Sequence, residues 1–271
     1  MRLINLSSFI FKSFIRPLSL FAVLISKNKK NSMFNQYTNG CNGHFEELKP
    51  KTPKFGVIID RAHGSNTPGK CSPDAANGLK DSPYYYYEWQ WSSIICTKLA
   101  ERLKNDGFRV EFTVDPKSER EPGLSVRADR ANKIIKDNPD IHWIFISMHS
   151  NAAGGDGHVW SNAKGYSIWT TKGVTNSDIL ADCIVKRADE ALPLYSKNIR
   201  KYKDKYLERD AEENWTVIYK TNCPAVLCEN FFHTTKSEVA WLKSERGQEV
   251  IVDFHAKGIA DYFNLQFPDE I

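Results

Sequence analysis

The chain has 271 residues, of which 41% are hydrophobic and 26% charged, and it contains seven tryptophans. This composition is typical of a globular protein that buries a substantial core in one large domain or two small ones. The formal net charge of +4 is uneven, because residues 1–32 hold six basic side chains and no acidic ones. Residues 33–271 carry 31 basic against 33 acidic groups. Such a nearly neutral body argues against nucleic acid as a partner, since binding to phosphates needs clustered Lys and Arg.

The cysteines are scattered and suggest neither a zinc ribbon nor a thioredoxin-like site. Both kinds of site need a Cys-x-x-Cys pair, which the sequence lacks. Buried free thiols that act as small hydrophobic side chains are therefore expected, and disulfides stay an alternative if the chain is exported. The six cysteines are at positions 41, 71, 96, 183, 223 and 228.

The N-terminal region contains one apolar stretch, Pro17–Ile25, which is preceded by Lys12 and Arg16. The stretch falls short of the ~20 apolar residues that a spanning helix needs. It fits the apolar part of a signal peptide or an uncleaved anchor, but no Ala-x-Ala-like cleavage site follows, so a poorly structured extension is an equal alternative. We predict a tail over residues 1–54, composed of a signal or anchor plus a linker, and one domain over residues 55–265.

From Phe55 onward, apolar runs typical of strands alternate with the four-residue spacing of helices. Val57, Ile58 and Ile59 form a continuous β-branched run, as in a strand buried on both faces. We expect a solvated helix or loop in the charged segment 197–213. The pattern predicts an α/β fold with a mostly parallel central sheet flanked by helices. The predicted strands lie near 57–59, 108–114, 143–148, 166–170, 215–219 and 224–228, and the predicted helices near 88–105, 124–136, 178–191 and 247–263.

Polar side chains follow three of these strands at their carboxyl ends. His63 comes after the first buried strand, His149 after the run that begins at Trp143, and Glu229 after Cys228. A fourth residue, Glu88, opens the helix after the first loop. In open α/β sheets, ligands bind outside the carboxyl ends of the strands, so these four side chains are expected to converge.

This set of side chains matches what a catalytic zinc site requires. His63, Glu88 and His149 supply three ligands and leave one position for water, while Glu229 is outside the ligand set and is the candidate general base. Each residue also has a purely structural alternative to its role in a metal site. The histidines could cap helices or pack in the core, Glu88 could be an acid that favours a helix N-terminus, and Glu229 could form an ordinary ion pair. The compact His-Glu-x-x-His motif of many zinc enzymes is absent from the sequence.

Five motifs follow one another between Phe55 and Phe263, and together they carry a resemblance to a known family. They are Asp60-Arg61-Ala62-His63-Gly64, Glu88 with the later Gly107-Phe108-Arg109-Val110, Arg127 with Ala131-Asn132, Ser147-Met148-His149-Ser150-Asn151-Ala152, and Pro224-Ala225-Val226-Leu227-Cys228-Glu229. In this order they resemble the zinc-dependent N-acetylmuramoyl-L-alanine amidases of bacteria and phages. Arg61 and Ala62 depart from the family, which usually has Pro and Gly there. Ala62 is expected to cost the ligand loop some conformational freedom.

The resemblance implies that Zn²⁺ is held by His63, Glu88 and His149, and that Glu229 acts as the general base. It implies hydrolysis of the amide between the lactyl group of N-acetylmuramic acid and L-alanine. Weak candidates for binding substrate are Arg127, for which an ion pair on a helix is the plainer role, and Asn151. Two alternatives stay open: a zinc peptidase that cuts within the stem peptide, and a non-catalytic cell-wall-binding relative.

The same resemblance implies where the protein acts and with what. Peptidoglycan is the expected partner, and the chain is expected to be a monomer without an obligate protein partner. We expect action at the cell wall or in the periplasm, with extracellular action or release by a phage as further settings.

Overall fold

A computed structural model describes residues 53–154, 157–192, 210–268 and 270. The strands of this part of the chain are β1 (Phe55–Arg61), β2 (Arg109–Phe112), β3 (His142–Asn151), β4 (Tyr166–Thr170), β5 (Ala211–Glu212) and β6 (Ala225–Phe232). Its helices are α1 (Pro73–Ala76), α2 (Glu88–Asn105), α3 (Leu124–Asp137), α4 (Asn176–Ala191), α5 (Thr216–Tyr219), α6 (Lys236–Lys243) and α7 (Glu245–Gln266).

The six strands form one sheet in the order β2-β1-β3-β6-β4-β5. β1 pairs in parallel with β2 and β3, and β3 pairs in parallel with β6. β4 runs antiparallel to β6 and parallel to β5. The prediction of a mostly parallel central sheet flanked by helices is confirmed.

Both faces of the central strands are covered by helices. Val57 and Ile59 pack into a large apolar cluster with residues of α2, α4 and α7, whereas Ile58 packs into a second cluster with residues of α3 and α5. All three side chains are fully buried. This double coverage is the reason why β1 reads as a continuous apolar run without alternation.

The strand predicted at Trp215–Tyr219 is wrong, because Thr216–Tyr219 form helix α5. The carbonyl of Trp215 accepts hydrogen bonds from the backbone N–H groups of Ile218 and Tyr219, at 3.1 and 2.8 Å. A single turn suffices to bury Val217 and Ile218 against the sheet. Short apolar runs do not by themselves distinguish a strand from a buried helical turn.

Several predictions concern parts of the chain that the structure does not describe. Residues 1–52, with the apolar N-terminal stretch and Cys41, and residues 197–209 of the charged segment lie outside the described residues. The other five cysteines are free thiols. Among the described helices none combines the length and apolarity that crossing a bilayer demands.

Candidate metal centre

Strand register places the predicted site residues at one edge of the sheet. In the pairing of β1 with β3, Asp60 lies opposite Ser147, so the chain beyond β1 reaches His63 beside the end of β3. In the pairing of β3 with β6, His149 lies opposite Glu229. Three separate strand ends therefore meet, as expected for the carboxyl edge of parallel strands.

His63, Glu88 and His149 form a compact triad in which one donor atom from each lies within 4.8 Å of the other two. His149 Nδ1 lies 3.0 Å from Glu88 Oε1, and His63 Nε2 lies 3.6 Å from Glu88 Oε2. Tetrahedral ligands at about 2.1 Å from zinc are about 3.4 Å apart, so these separations match such a site. Two imidazoles and one carboxylate are also donors that zinc prefers, so the residues fit the ion.

The hydrogen bonds around His149 indicate which of its nitrogens faces the triad. The Ser147 hydroxyl donates to Asp60 Oδ2 at 2.6 Å, which leaves its oxygen to accept from His149 Nε2–H at 3.1 Å. In the neutral ring, Nδ1 then carries the lone pair and faces Glu88. A lone pair 3.0 Å from a carboxylate oxygen is favourable only with a proton or a cation between them.

The triad holds its glutamate in the ionised form. Burial by itself raises the pKa of Glu88, but its interactions with the imidazoles of His149, His63 and His233 together lower it to about 2. The Ser150 backbone N–H donates to Glu88 Oε1 at 3.1 Å and fixes the carboxylate in place. An ionised, oriented carboxylate is ready to coordinate a cation.

Glu229 has the properties of a base rather than of an ion-pair partner. Its side chain is half-buried, and Oε2 has no hydrogen-bond partner among the described residues. Burial and then the charge of Glu88 raise the pKa of Glu229 to about 8. A carboxyl group whose pKa lies near neutrality is suited to take up and release a proton.

The altered loop beside the first histidine is accommodated without glycine at position 62. In this loop the non-glycine residue with positive φ is His63, at 51°. Ala62 is not among the described residues that have a positive φ. Ala62 is fully buried, and its N–H donates to Ser92 Oγ at 2.9 Å. Gly64 is the position that needs glycine, because a Cβ there would lie 2.5 Å from the backbone nitrogen of Glu121.

The two weak candidates for binding substrate lie in different environments. Arg127 is only 1% exposed, and its guanidinium group donates to Asp60 and Glu121. Asn151 is half-buried at the end of β3, where its Oδ1 accepts from the backbone N–H of Ala152 at 2.8 Å. The burial of Arg127 favours a role inside the protein over contact with substrate.

The structure also brings Glu121 and His233 to the site. Glu121 Oε1 lies 3.6 Å from His63 Nδ1. His233 Nδ1 donates to the carbonyl of Ser150 at 3.0 Å and lies 3.9 Å from Glu88 Oε2. Burial lowers the pKa of His233, which favours the neutral ring. The only sequence signal for Glu121 is its position in the proline-containing loop before the helix of Arg127.

Comparison with known proteins places this chain in a family. Residues 57–261 match the family model of N-acetylmuramoyl-L-alanine amidase. The chain is 30% identical over 214 residues to the endolysin of Bacillus phage SPP1, an alignment that covers 78% of this chain and 66% of the endolysin. It is 28% identical over 209 residues to the amidase CwlM of Bacillus licheniformis, covering 77% of this chain and 69% of CwlM.

Solved structures share the fold. An N-acetylmuramoyl-L-alanine amidase from Clostridium difficile 630 superposes with a TM-score of 0.60 at 24% identity, covering 78% of this chain and 98% of that one. The CwlD amidase of Clostridioides difficile, solved in complex with the GerS lipoprotein, has a TM-score of 0.61 at 23% identity and covers 78% of this chain and 99% of that one. The family model spans most of this chain, and the chain therefore belongs to the N-acetylmuramoyl-L-alanine amidase family.

Proposed function

We propose that this chain is a zinc-dependent peptidoglycan hydrolase that cleaves the amide between the lactyl group of N-acetylmuramic acid and L-alanine. The observation that carries the proposal is the His63–Glu88–His149 triad, in which His63 is half-buried and the other two are buried, with Glu229 on the strand next to that of His149. Membership of the amidase family supports the choice of this bond over a bond inside the stem peptide.

The environments of the side chains determine which of them would bind the ion and which would transfer a proton. His63, Glu88 and His149 would hold the ion, which when bound lowers the pKa of water and polarises a carbonyl group. Glu229 takes the proton of the attacking water and delivers it to the leaving amine of L-alanine, as a carboxyl group with a near-neutral pKa can do. One side chain thus serves as base and then as acid.

A cleft beside the ligand loop is the proposed location for part of the substrate. It has a volume of about 260 Å³ and lies between the loop at 64–70 and the start of α2, with Tyr87 and Trp89 in its wall. A larger groove of about 730 Å³ lies among α2, α4 and α7, but Arg102, Asp253 and other charged residues of that helical layer line it. The smaller cleft is preferred because its wall begins at Gly64, next to His63.

The proposed setting is the cell wall, with peptidoglycan as partner and the chain acting as a monomer. Asn151 remains the proposed contact for substrate, since it follows His149 at the same sheet edge. The phage endolysin among the relatives supports lysis as one setting for the activity.

The test is mass spectrometry of purified peptidoglycan digested by the full chain, with and without a chelator and beside Glu229→Gln. Peptides with a free L-alanine amine, together with intact lactyl groups on the glycan, are the expected products. They should disappear on chelation or with the variant. Cuts within the stem peptide would establish the peptidase alternative. Binding to peptidoglycan without any cleavage by the zinc-loaded chain would establish the non-catalytic one.

A further inference from the structure

One buried arginine sits between two carboxylates on the side of the site away from the triad. Arg127 is 1% exposed and Asp60 is fully buried. Arg127 Nε donates to Asp60 Oδ1 at 2.9 Å, and Nη2 donates to Asp60 Oδ2. Its remaining branch, Nη1, donates to Glu121 Oε2 at 2.5 Å. The planar guanidinium group therefore uses all three of its nitrogens to contact two acids, one in strand β1 and one in the loop before α3.

Glu121 is the acid that connects Arg127 to His63. Glu121 Oε2 is held by Arg127, while Oε1 accepts from the Thr67 hydroxyl and lies 3.6 Å from His63 Nδ1. The opposite nitrogen of the same ring, Nε2, faces Glu88. A carboxylate on one side of an imidazole favours the proton on that side and leaves the other nitrogen as a ligand.

Asp60 is the acid that connects Arg127 to His149. Asp60 Oδ2 accepts from the Ser147 hydroxyl, whose oxygen accepts from His149 Nε2–H. The opposite nitrogen, Nδ1, faces Glu88. The two histidines thus use different ring nitrogens toward the triad, and in each case a carboxylate lies behind the other nitrogen, directly for His63 and through one hydroxyl for His149.

The loop that carries His63 is attached to the segment that carries Glu121. Ser65 N–H donates to the carbonyl of Glu119 at 2.7 Å, and Glu121 N–H donates to Asn66 Oδ1 at 2.9 Å. At Gly64 the two backbones are so close that a Cβ would lie 2.5 Å from the Glu121 nitrogen. The placement of Glu121 behind His63 is therefore fixed by the backbone as well as by Arg127.

We propose that Arg127 is a positioning residue for both histidine ligands: it holds Glu121 behind His63 and Asp60, through Ser147, behind His149, and so fixes the ring nitrogens that face the metal. This rests on the proposed zinc chemistry of the triad. It gives Arg127 a role that does not require it to touch substrate, and it assigns Glu121 to the support of one ligand.

The test is the zinc dissociation constant of the full chain, measured by competition with a chromophoric chelator, for wild type and three variants. Glu121→Gln keeps the shape of the side chain and removes its charge, Ser147→Ala removes the hydroxyl link to His149, and Arg127→Met removes the shared cation. Outer-shell partners of ligating histidines contribute about 10- to 100-fold to metal affinity, so each variant is expected to weaken zinc binding by that factor. Cobalt substitution should show an altered visible spectrum for each.

Lys133→Met is the matched control, because Lys133 lies on the same helix and its ammonium group donates to Asp137 Oδ2 at 2.6 Å on the protein surface, outside this network. It should bind zinc as tightly as wild type. In the Arg127→Met background, adding Glu121→Gln should cost less than about three-fold, because the carboxylate has already lost the group that holds it.

The outcomes separate this inference from the proposed function. If Arg127→Met fails to fold, Glu121→Gln and Ser147→Ala decide the two branches separately. Folded variants with wild-type zinc affinity, or a full effect of Glu121→Gln in the Arg127→Met background, overturn the positioning role and leave the zinc amidase intact. A wild-type chain that binds no zinc overturns both.

Discussion

His149 and Glu229 are direct neighbours in the parallel pairing of β3 with β6. Adjacent strands lie about 4.8 Å apart, so a side chain proposed as a metal ligand and one proposed as a base start from neighbouring points on the backbone. Neither position can move without shifting the register of the central sheet. The pairing of β3 with β6 thus fixes the spacing between the proposed ligand and the proposed base.

Glu229→Gln should lower kcat on peptidoglycan by about 10²- to 10⁴-fold, because proton transfer by a placed side chain contributes that much. Zinc content, measured by atomic absorption, should stay at the wild-type level because Glu229 is outside the triad. Glu101→Gln on the exposed face of α2 is the control and should leave kcat unchanged. Loss of zinc from Glu229→Gln would instead identify this carboxylate as a ligand.

The metal-free protein should become less stable from acid to alkaline pH because of Glu229. The folded-state pKa of about 8 exceeds the ordinary value of 4.5, so the folded state binds the proton more tightly. The stability contributed by the neutral carboxyl is fully present below about pH 4.5 and is lost as the pH rises through about 8.

The measurement for this pH effect is Tm in the presence of chelator at pH 5 and pH 9. We compare the Tm of Glu229→Gln with that of wild type at each pH. The variant's Tm, relative to wild type, should be several degrees higher at pH 9 than at pH 5. Glu101→Gln provides the comparison for loss of a surface carboxylate. An equal difference between Glu229→Gln and wild type at both pH values would show that burial does not penalise the charged form of Glu229.

Zinc should stabilise the folded chain strongly. At free zinc 1,000 times the dissociation constant, binding adds about 4 kcal/mol, which corresponds to roughly 8–16 °C in Tm for a domain of this size. Differential scanning calorimetry with zinc and with chelator checks this. His149→Ala should abolish the difference, and a variant that still gains the full shift would place the ion elsewhere.

Gly258→Ala should destabilise the protein by about 1–3 kcal/mol, the usual cost of an added methyl group in a tightly packed interior. Helix α7 packs closely on α4 at this point, and a Cβ at position 258 would lie 2.5 Å from the Cα of Ile184. Chemical denaturation of the metal-free protein gives the free energy of unfolding. The control is Asn264→Ala on the exposed side of α7, for which a change within about 0.5 kcal/mol is expected. An equally small change for Gly258→Ala would show that the two helices can separate at no cost.

The four residues of the candidate site could be predicted from the sequence because each follows a local signal. β-branched runs such as Val57–Ile59 indicate buried parallel strands, and topology forces the carboxyl ends of such strands to one edge. Glu88 was found for a related reason, since it opens a helix whose apolar face points into the core. The structure brings His63, Glu88 and His149 together as this reasoning predicted.

Local pattern failed where tertiary contacts decide between alternatives of similar local energy. The sequence of Thr216–Tyr219 predicts a strand, yet these residues form one helical turn that buries Val217 and Ile218. Alanine at position 62 is expected to restrict the loop, yet the positive φ in this loop is at His63 and not at Ala62.

The sequence by itself determined the α/β architecture, the sheet edge that carries the candidate site and the residue types that meet there, because hydrophobic periodicity and the succession of strands and helices along the chain are local properties. Only the tertiary structure decided which side chains lie behind His63 and His149. Arg127 contacts Asp60 across 67 residues of chain, and Glu121 contacts Thr67 across 54. Side-chain contacts at such separations leave no periodic pattern in the sequence, since a charged residue on a helix looks the same in sequence whether it faces solvent or a buried carboxylate.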